Sequence, residues 1–307
     1  MKKTKNYYSV YGLVIETFIE FPELYPISAT DKTDAVISLG MPPEWVIKEY
    51  KSGKYSNIQN NIMWFRLNDE MLVYAENGNN VIVWQIDDNI NPIRLRSYIL
   101  TGALTLIMLQ RDYVLVHGSG LVHNNKAFII SGTSGSGKST TALNLLDKSE
   151  ILFATDDICA IKTTDSGCYL YPGPPFQKIC PDVKNKNNTD NNDDNYILLE
   201  ESGGKYGRRL SEGYVTAPVR ISDMFILDKT DCTDIQLTEV TGINKLHALT
   251  HNLFRGELLH VVGITPERMQ KLIKTADSFS IREVNRPKQK DTTTQLVDII
   301  FSIIKTT

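Results

Sequence analysis

Residues 132 to 139 read Gly-Thr-Ser-Gly-Ser-Gly-Lys-Ser, filling every fixed position of the pattern GxxxxGK[ST]. The apolar run Ala127-Phe128-Ile129-Ile130 before it predicts a buried strand, and Thr140-Thr141-Ala142-Leu143-Asn144-Leu145-Leu146 after it predicts an amphipathic helix. Strand, glycine-rich turn and helix in that order point to an α/β architecture with the turn at a strand end. Glycines at 132, 135 and 137 let backbone N–H groups turn inward around a polyphosphate, and the helix N-terminus adds its partial positive charge. Lys138 is placed to reach the β/γ-phosphates and the Ser139 hydroxyl to ligate Mg²⁺. Gly132, Thr133, Ser134, Gly135, Ser136, Gly137, Lys138, Ser139 and Thr140 are therefore the expected nucleotide-binding residues. The expected ligands are ATP, or a close relative, and Mg²⁺.

The chain has 307 residues, more than one hydrophobic core usually holds, so two lobes or one large α/β domain are expected. A formal net charge of −3 supplies no global basic surface, which argues against nucleic acid as a partner. Cysteines 159, 168, 180 and 232 show no CxxC pairing and read as reduced thiols. The basic start Met1-Lys2-Lys3-Thr4-Lys5 is followed by Asn6-Tyr7-Tyr8-Ser9, without the apolar core of a signal peptide. The longest apolar stretch, Ile99 to Leu109, reads as too short to span a bilayer. The expectation is a cytoplasmic protein with no membrane partner, compatible with a homo-oligomer.

Residues 7 to about 90 carry short runs bounded by Asn, Asp, Gly or Pro: Tyr8 to Ile15, Ala35 to Leu39, Ile62 to Leu67, Met71 to Ala75 and Val81 to Ile86. They predict a small antiparallel β-lobe, residues 1–92, ahead of a nucleotide-binding domain, residues 93–307. Arg94 to Gln110 reads as a buried helix. Tyr113 to Val122 and the strand before the glycine-rich turn are joined at Asn124-Asn125 and predict a β-hairpin. An antiparallel strand directly before the turn points to a mixed sheet. The polar, low-complexity stretch within 183–204 reads as a disordered or mobile insertion. Beyond it, Val219 to Leu227 reads as a strand, and Ile243 to Leu253, Pro266 to Ala276 and Thr292 to Ile304 as helices.

Phosphoryl transfer needs a metal anchor beyond Ser139 and a group that orients or deprotonates the acceptor. Asp156 and Asp157 stand at the end of the apolar run Leu152-Phe153-Ala154-Thr155, where α/β sheets place ligand chemistry. One can hold Mg²⁺ and the other can accept a proton from an attacking hydroxyl. His117, which the hairpin folds back beside the turn, can hydrogen-bond this pair and tune its pKa. Arg208 and Arg209, after the polar insertion, are candidates to close over the phosphates and meet transition-state charge. Glu201 to Lys205 echoes an ABC-transporter signature and Met224 to Asp228 a Walker B strand, but Lys229 stands where a catalytic Glu is required. The echo is read as a decoy.

His117-Gly118, the hairpin, Gly132 to Ser139 and Ala154-Thr155-Asp156-Asp157 together resemble the catalytic core of the HPr kinase/phosphorylase family, strongly over residues 110 to 160. Tyr171-Pro172-Gly173-Pro174-Pro175, Tyr8 to Leu13 and Phe21-Pro22-Glu23-Leu24 resemble the related branch that includes lasso-peptide precursor kinases. The resemblance implies an α/β fold like that of phosphoenolpyruvate carboxykinase and HPr kinase, with a mixed sheet and a phosphate loop. It implies an ATP- and Mg²⁺-dependent serine kinase whose partner is a peptide or small protein carrying the acceptor serine. By position it makes Asp156 the general base, Asp157 the Mg²⁺ ligand and His117 the support of Asp156. The bifunctional enzyme's signature segment and N-terminal domain have no recognisable counterpart, which counts against phosphorolysis and against HPr as the substrate. Competing readings are a small-molecule hydroxyl kinase, HPr kinase proper and a non-catalytic nucleotide-binding regulator.

Overall fold

The computed structural model describes residues 4–30, 32–59, 61–179, 196–198, 206–256 and 265–306. The chain divides into two compact units, Met1–Tyr113 with Cys180–Gly207, and Val114–Ile179 with Arg208–Thr307. The expected insertion at 183–204 lies outside the described residues except for 196–198, a short strand.

The first unit holds a seven-stranded sheet built from β1 (Asn6–Val10), β2 (Leu13–Thr17), β3 (Ala35–Leu39), β4 (Ser56–Gln59), β5 (Ile62–Leu67), β6 (Met71–Glu76) and β7 (Asn80–Gln85), in the order β1-β2-β3-β7-β6-β5-β4. The single run expected from Tyr8 to Ile15 is two strands, because Tyr11 and Gly12 both take positive φ and turn the chain back. The sheet is mixed rather than antiparallel: β3 pairs parallel with both β2 and β7. Helix α1 (Glu44–Lys51), which the sequence reading passed over, makes the connection to the far side of the sheet and buries only Val46, against Trp64, Leu72 and Tyr74.

Helix α2 (Pro92–Gln110) contains a π-helical turn at Ile99–Ala103 and packs onto this sheet. Gly102 lets it approach so closely that a Cβ there would meet Leu67 Cδ1 at 3.0 Å and Phe65 Cζ at 3.4 Å. The Gln110 amide adds a hydrogen bond of 3.1 Å to the Ala75 carbonyl. For that reason the unit boundary falls after this helix, at Tyr113, and not before it near residue 92. Among the described residues α2 is the one helix long and apolar enough, by length and composition, to cross a membrane, and half of it is buried within the structure. It exceeds the stretch judged too short from sequence because it begins at Pro92, with Asn91 capping its first turn.

The second unit is built on β8 (Val114–His123), β9 (Lys126–Gly132), β10 (Ile151–Thr155), β11 (Ile158–Thr164) and β12 (Gly167–Tyr171). It continues through β13 (Phe176–Ile179), β16 (Val219–Thr230), β17 (Gln236–Val240) and β18 (Ser280–Pro287), while in chain order β14 (Tyr196–Leu198) falls in the first unit and β15 (Tyr206–Arg209) runs across the division at Gly207. Asn124 and Asn125 both have positive φ, at 47° and 59°, as a two-residue hairpin turn between twisted strands requires, so β8 and β9 pair antiparallel. On its other edge β9 pairs parallel with β16, which pairs parallel with β18. The mixed sheet expected from the hairpin is thus present.

Alternation along β9 divides the core. Phe128 and Ile130 join the face covered by α3 (Lys138–Leu146) and α6 (Thr293–Thr306), while Ala127 and Ile129 join the face covered by α4 (Ile243–His251) and α5 (Pro266–Asp277). A strand buried on both faces needs the continuous apolar run that the sequence shows. Each such Ile or Phe, fully buried, contributes about 1.5–3 kcal/mol. Cys159, Cys168 and Cys232 are free thiols, and the first two are buried.

Gly132 ends β9 with φ at 130°, and a Cβ there would overlap the Leu227 backbone carbonyl of β16. Gly132→Ala should therefore cost more than about 3 kcal/mol, since neither the dihedral nor the neighbouring backbone can yield cheaply. Chemical denaturation of the purified variant measures this.

Candidate active site at the strand ends

Strand β8 carries the site on both its edges. On one edge Gly118 lies opposite Ser131, the residue before Gly132. On the other edge β10 ends at Thr155 opposite Gly120, and β11 begins at Ile158 opposite His117. Asp156 and Asp157 fill the gap between those two strands, opposite Ser119 and Gly118. Strands flanking β8 lie about 9–10 Å apart, two sheet spacings, so the Asp turn and the glycine-rich loop are separated by one strand. Gly118 permits this: a Cβ there would stand 2.5 Å from the Ile130 carbonyl. The Ser131 hydroxyl lies 2.7 Å from the His117 carbonyl and 2.9 Å from Asn252 Oδ1, and its one proton serves either acceptor.

The loop from Gly132 to Gly137 turns through positive φ at 132, 135 and 137 and delivers the chain into α3 at Lys138. The Lys138 ammonium donates to the carbonyls of Gly132 at 2.8 Å and Thr133 at 3.0 Å, so it arches back over the loop. Ser136 Oγ and Thr141 Oγ1 are buried and have no hydrogen-bond partner among the described residues. Thr133, Ser134, Gly135 and Thr140 are exposed, and Lys138 and Ser139 are half-buried. At the end of β16, Asp228 accepts from the Thr133 hydroxyl at 3.2 Å, because β16 runs parallel beside β9. The strand dismissed as a Walker B echo does adjoin the glycine-rich loop.

The two carboxylates have opposite environments. Asp156 Oδ1 accepts from the Ser119 hydroxyl at 2.7 Å and from the Asp157 N–H at 3.1 Å, and its Oδ2 accepts from the Lys178 N–H at 3.0 Å. Burial nonetheless raises its pKa above the usual carboxylate value, with the Asp157 charge adding to the rise. Asp157, held at a φ of 72°, faces cations. Its Oδ2 meets the Lys178 ammonium at 2.9 Å and its Oδ1 lies 3.3 Å from His117 Nδ1. Burial pushes its pKa up, but the His117 hydrogen bond and the Lys178 charge outweigh that and hold it well below the usual range. The two neighbouring carboxyls are thus shifted in opposite directions, Asp156 up and Asp157 down.

This arrangement corrects two expectations. His117 supports Asp157, not Asp156, because its strand register sets it opposite Ile158 and aims Nδ1 at the residue just before. Asp156 is supported by Ser119 instead. Arg208 and Arg209 belong to strand β15, with Arg208 exposed, whereas a loose flap was expected; the adjoining residues 199–205 lie outside the described residues. Lys178 was missed altogether. Its signal was the segment Tyr171-Pro172-Gly173-Pro174-Pro175, which leads from β12 into β13 and is pinned by the Gly173 N–H to the Ala154 carbonyl at 3.0 Å. That bond delivers Lys178 to both carboxylates.

No protein-family profile matches the chain, and no curated protein matches it. Among solved structures it is similar to the HPr(Ser) kinase/phosphatase from Coxiella burnetii, at 13% identity over 62% of this chain and 97% of that one, with a TM-score of 0.32. A likeness so loose carries no residue roles across.

The opposed pKa directions give opposite pH dependences. Asp157 contributes stability above the unfolded carboxylate pKa and loses it as pH falls toward its depressed folded value. Lys178→Met should therefore cost about 1–2 kcal/mol at pH 7, discounted from a buried pair because the side chains stay 28% and 24% exposed, and the cost should shrink below pH ~4. Asp156 behaves conversely: its protonated form is favoured in the fold, so stability is lost as pH rises through its raised pKa. The stability of Asp156→Asn relative to the unmodified protein should then increase from about pH 4 to pH 8. Thermal melts across that range test both signs.

Proposed function

We propose that this protein is an ATP- and Mg²⁺-dependent kinase that transfers the γ-phosphate to a serine hydroxyl of a peptide or small protein. The observation that carries the reading is the pair of adjacent carboxylates, one with its pKa raised by burial and one with its pKa lowered by His117 and Lys178, held one strand from a glycine-rich loop that opens a helix. A pure nucleotide switch has no use for a base with a raised pKa. A hydroxyl acceptor does, since a base works best when its pKa approaches the working pH.

In this reading Asp156 accepts the acceptor's proton while Ser119 and the Lys178 N–H hold its oxygens in place. Asp157 stays anionic and, with the Ser139 hydroxyl, offers hard oxygen ligands of the kind Mg²⁺ shares with phosphates and water. When bound there, Mg²⁺ would supply charge neutralisation for the phosphates. The Lys178 ammonium pairs with Asp157 and must share that carboxylate with the ion. Lys138 exchanges the Gly132 and Thr133 carbonyls for phosphate oxygens when a nucleotide enters. Peptide as the acceptor class, with lasso-peptide precursors as the first candidates, rests on the resemblance of Tyr171 to Pro175 and of the N-terminal motifs to that branch.

Two substitutions separate binding from chemistry. Lys138→Ala should weaken ATP binding about ten-fold or more by calorimetry, with the circular dichroism spectrum intact. Asp156→Asn should keep Mg·ATP binding but lower serine phosphorylation by about 10²–10⁴, the usual contribution of a general base. Transfer by Asp156→Asn at the unmodified rate would reject the base assignment. Efficient phosphorylation of a free hydroxyl metabolite, with genomically neighbouring peptides left unmodified, would replace the peptide reading with a small-molecule one.

A further inference from the structure

Arg286 has no place in the site as the sequence presents it, yet the fold carries it to the phosphate loop. It lies at the end of β18, opposite Lys229 of β16, and is 4% exposed. A Cβ added to Gly137, the residue before α3, would stand 2.7 Å from Arg286 Nη1. Nε donates to the Thr292 hydroxyl at 3.1 Å and Nη2 to the Thr293 hydroxyl at 3.3 Å, which places the guanidinium at the start of α6 as well. Its carboxylate neighbour among the described residues is Asp291, at 3.6 Å and 86% exposed.

A buried cation therefore sits where the positive ends of two helices meet, with hydroxyls and one solvated carboxylate for company. Fields of the same sign add there, and the Lys138 ammonium adds another. In the same loop the Ser136 hydroxyl is 2% exposed and has no partner among the described residues. Such a concentration of like charge costs stability on its own account and is relieved by an anion carrying several charges.

We propose that Arg286 is a positioning residue of the phosphate site, which lies against Gly137, adds its charge to the loop and makes binding favour ligands by their number of phosphates. This deepens the nucleotide-binding reading above and rests on it. Because the guanidinium touches the loop, its charge is felt most by a polyphosphate and least by a monophosphate.

The test compares Arg286→Gln, which keeps a donor for Thr292 but loses the charge, with Arg286→Lys, which keeps the charge. Binding of AMP, ADP and ATP is measured by calorimetry, and melting temperature is measured with and without nucleotide. Arg286→Gln should weaken ATP binding about ten-fold, ADP less and AMP within about two-fold, while Arg286→Lys stays within about three-fold for all three. Without nucleotide, Arg286→Gln should melt at or above the unmodified protein, and its nucleotide-induced rise should be smaller. A lower melting temperature with equal losses for the three nucleotides, or with none, would overturn the proposal in favour of a plain buttress. If Arg286→Gln fails to fold, Arg286→Lys decides: retained preference for ATP over AMP supports the role, and lost preference with the charge still present overturns it. Lys138→Ala separates the two levels, since unchanged ATP binding there removes the nucleotide reading itself, and the role of Arg286 with it.

Discussion

Everything in the site depends on β8 being hydrogen-bonded along both edges at residues 117 to 120. On one side the register Gly118 to Ser131 brings the phosphate loop alongside. On the other, the break between β10 and β11 leaves room for two residues, and those are the two aspartates. The strand tolerates this crowding because Gly118 and Gly120 remove side chains where neighbours press in; a Cβ at 120 would meet Leu170 Cδ2 at 2.6 Å. The bond from the Gly118 N–H to the Asp157 carbonyl, at 3.3 Å, closes the turn against the strand. Backbone register, more than any side-chain contact, sets the spacing between carboxylates and loop.

Around that spacing the charges are sorted by element. The loop side carries cations and helix ends: Lys138, Arg286 and the starts of α3 and α6. The turn side carries Asp156 and Asp157, with Lys178 and His117 on the outer carboxylate. Carboxylates one residue apart repel, and the fold answers by giving cations to one and hydroxyl and amide donors to the other. Burial thus moves the Asp156 pKa up while the His117 hydrogen bond and the Lys178 charge move the Asp157 pKa down, so the two neighbouring carboxyls differ in proton affinity.

The glycine-rich motif lies at a strand–loop–helix junction and the Asp pair at a neighbouring strand end. The support of the aspartates is distributed differently, with His117 on the second carboxylate and Ser119 on the first. Ser119 is two residues beyond His117 on the same strand and shares its face, so a period-two reading of β8 would have flagged it.

Local sequence by itself determined the glycine-rich turn, its flanking strand and helix, the Asn-Asn hairpin and the Asp pair. Each is set by steric or hydrogen-bonding demands within a few residues: positive φ at glycine and asparagine, apolar runs for buried strands, carboxylates at a strand end. The parallel pairings of β3, β16 and β18 were not legible, since partner choice between distant strands leaves no short-range mark. Nor was the attachment of α2 to the first sheet, which turns on Gly102 meeting Leu67 and Phe65. Lys178, Asp228 and Arg286 reached the site only through tertiary structure. They stand 40, 90 and 148 positions after Lys138; the Tyr171 to Pro175 segment and the run Met224 to Asp228 mark the neighbourhoods of the first two without showing what they touch, and nothing near Arg286 distinguishes it from surface charge. Only the sheet register and the burial it imposes turn them into partners of an aspartate and a phosphate loop.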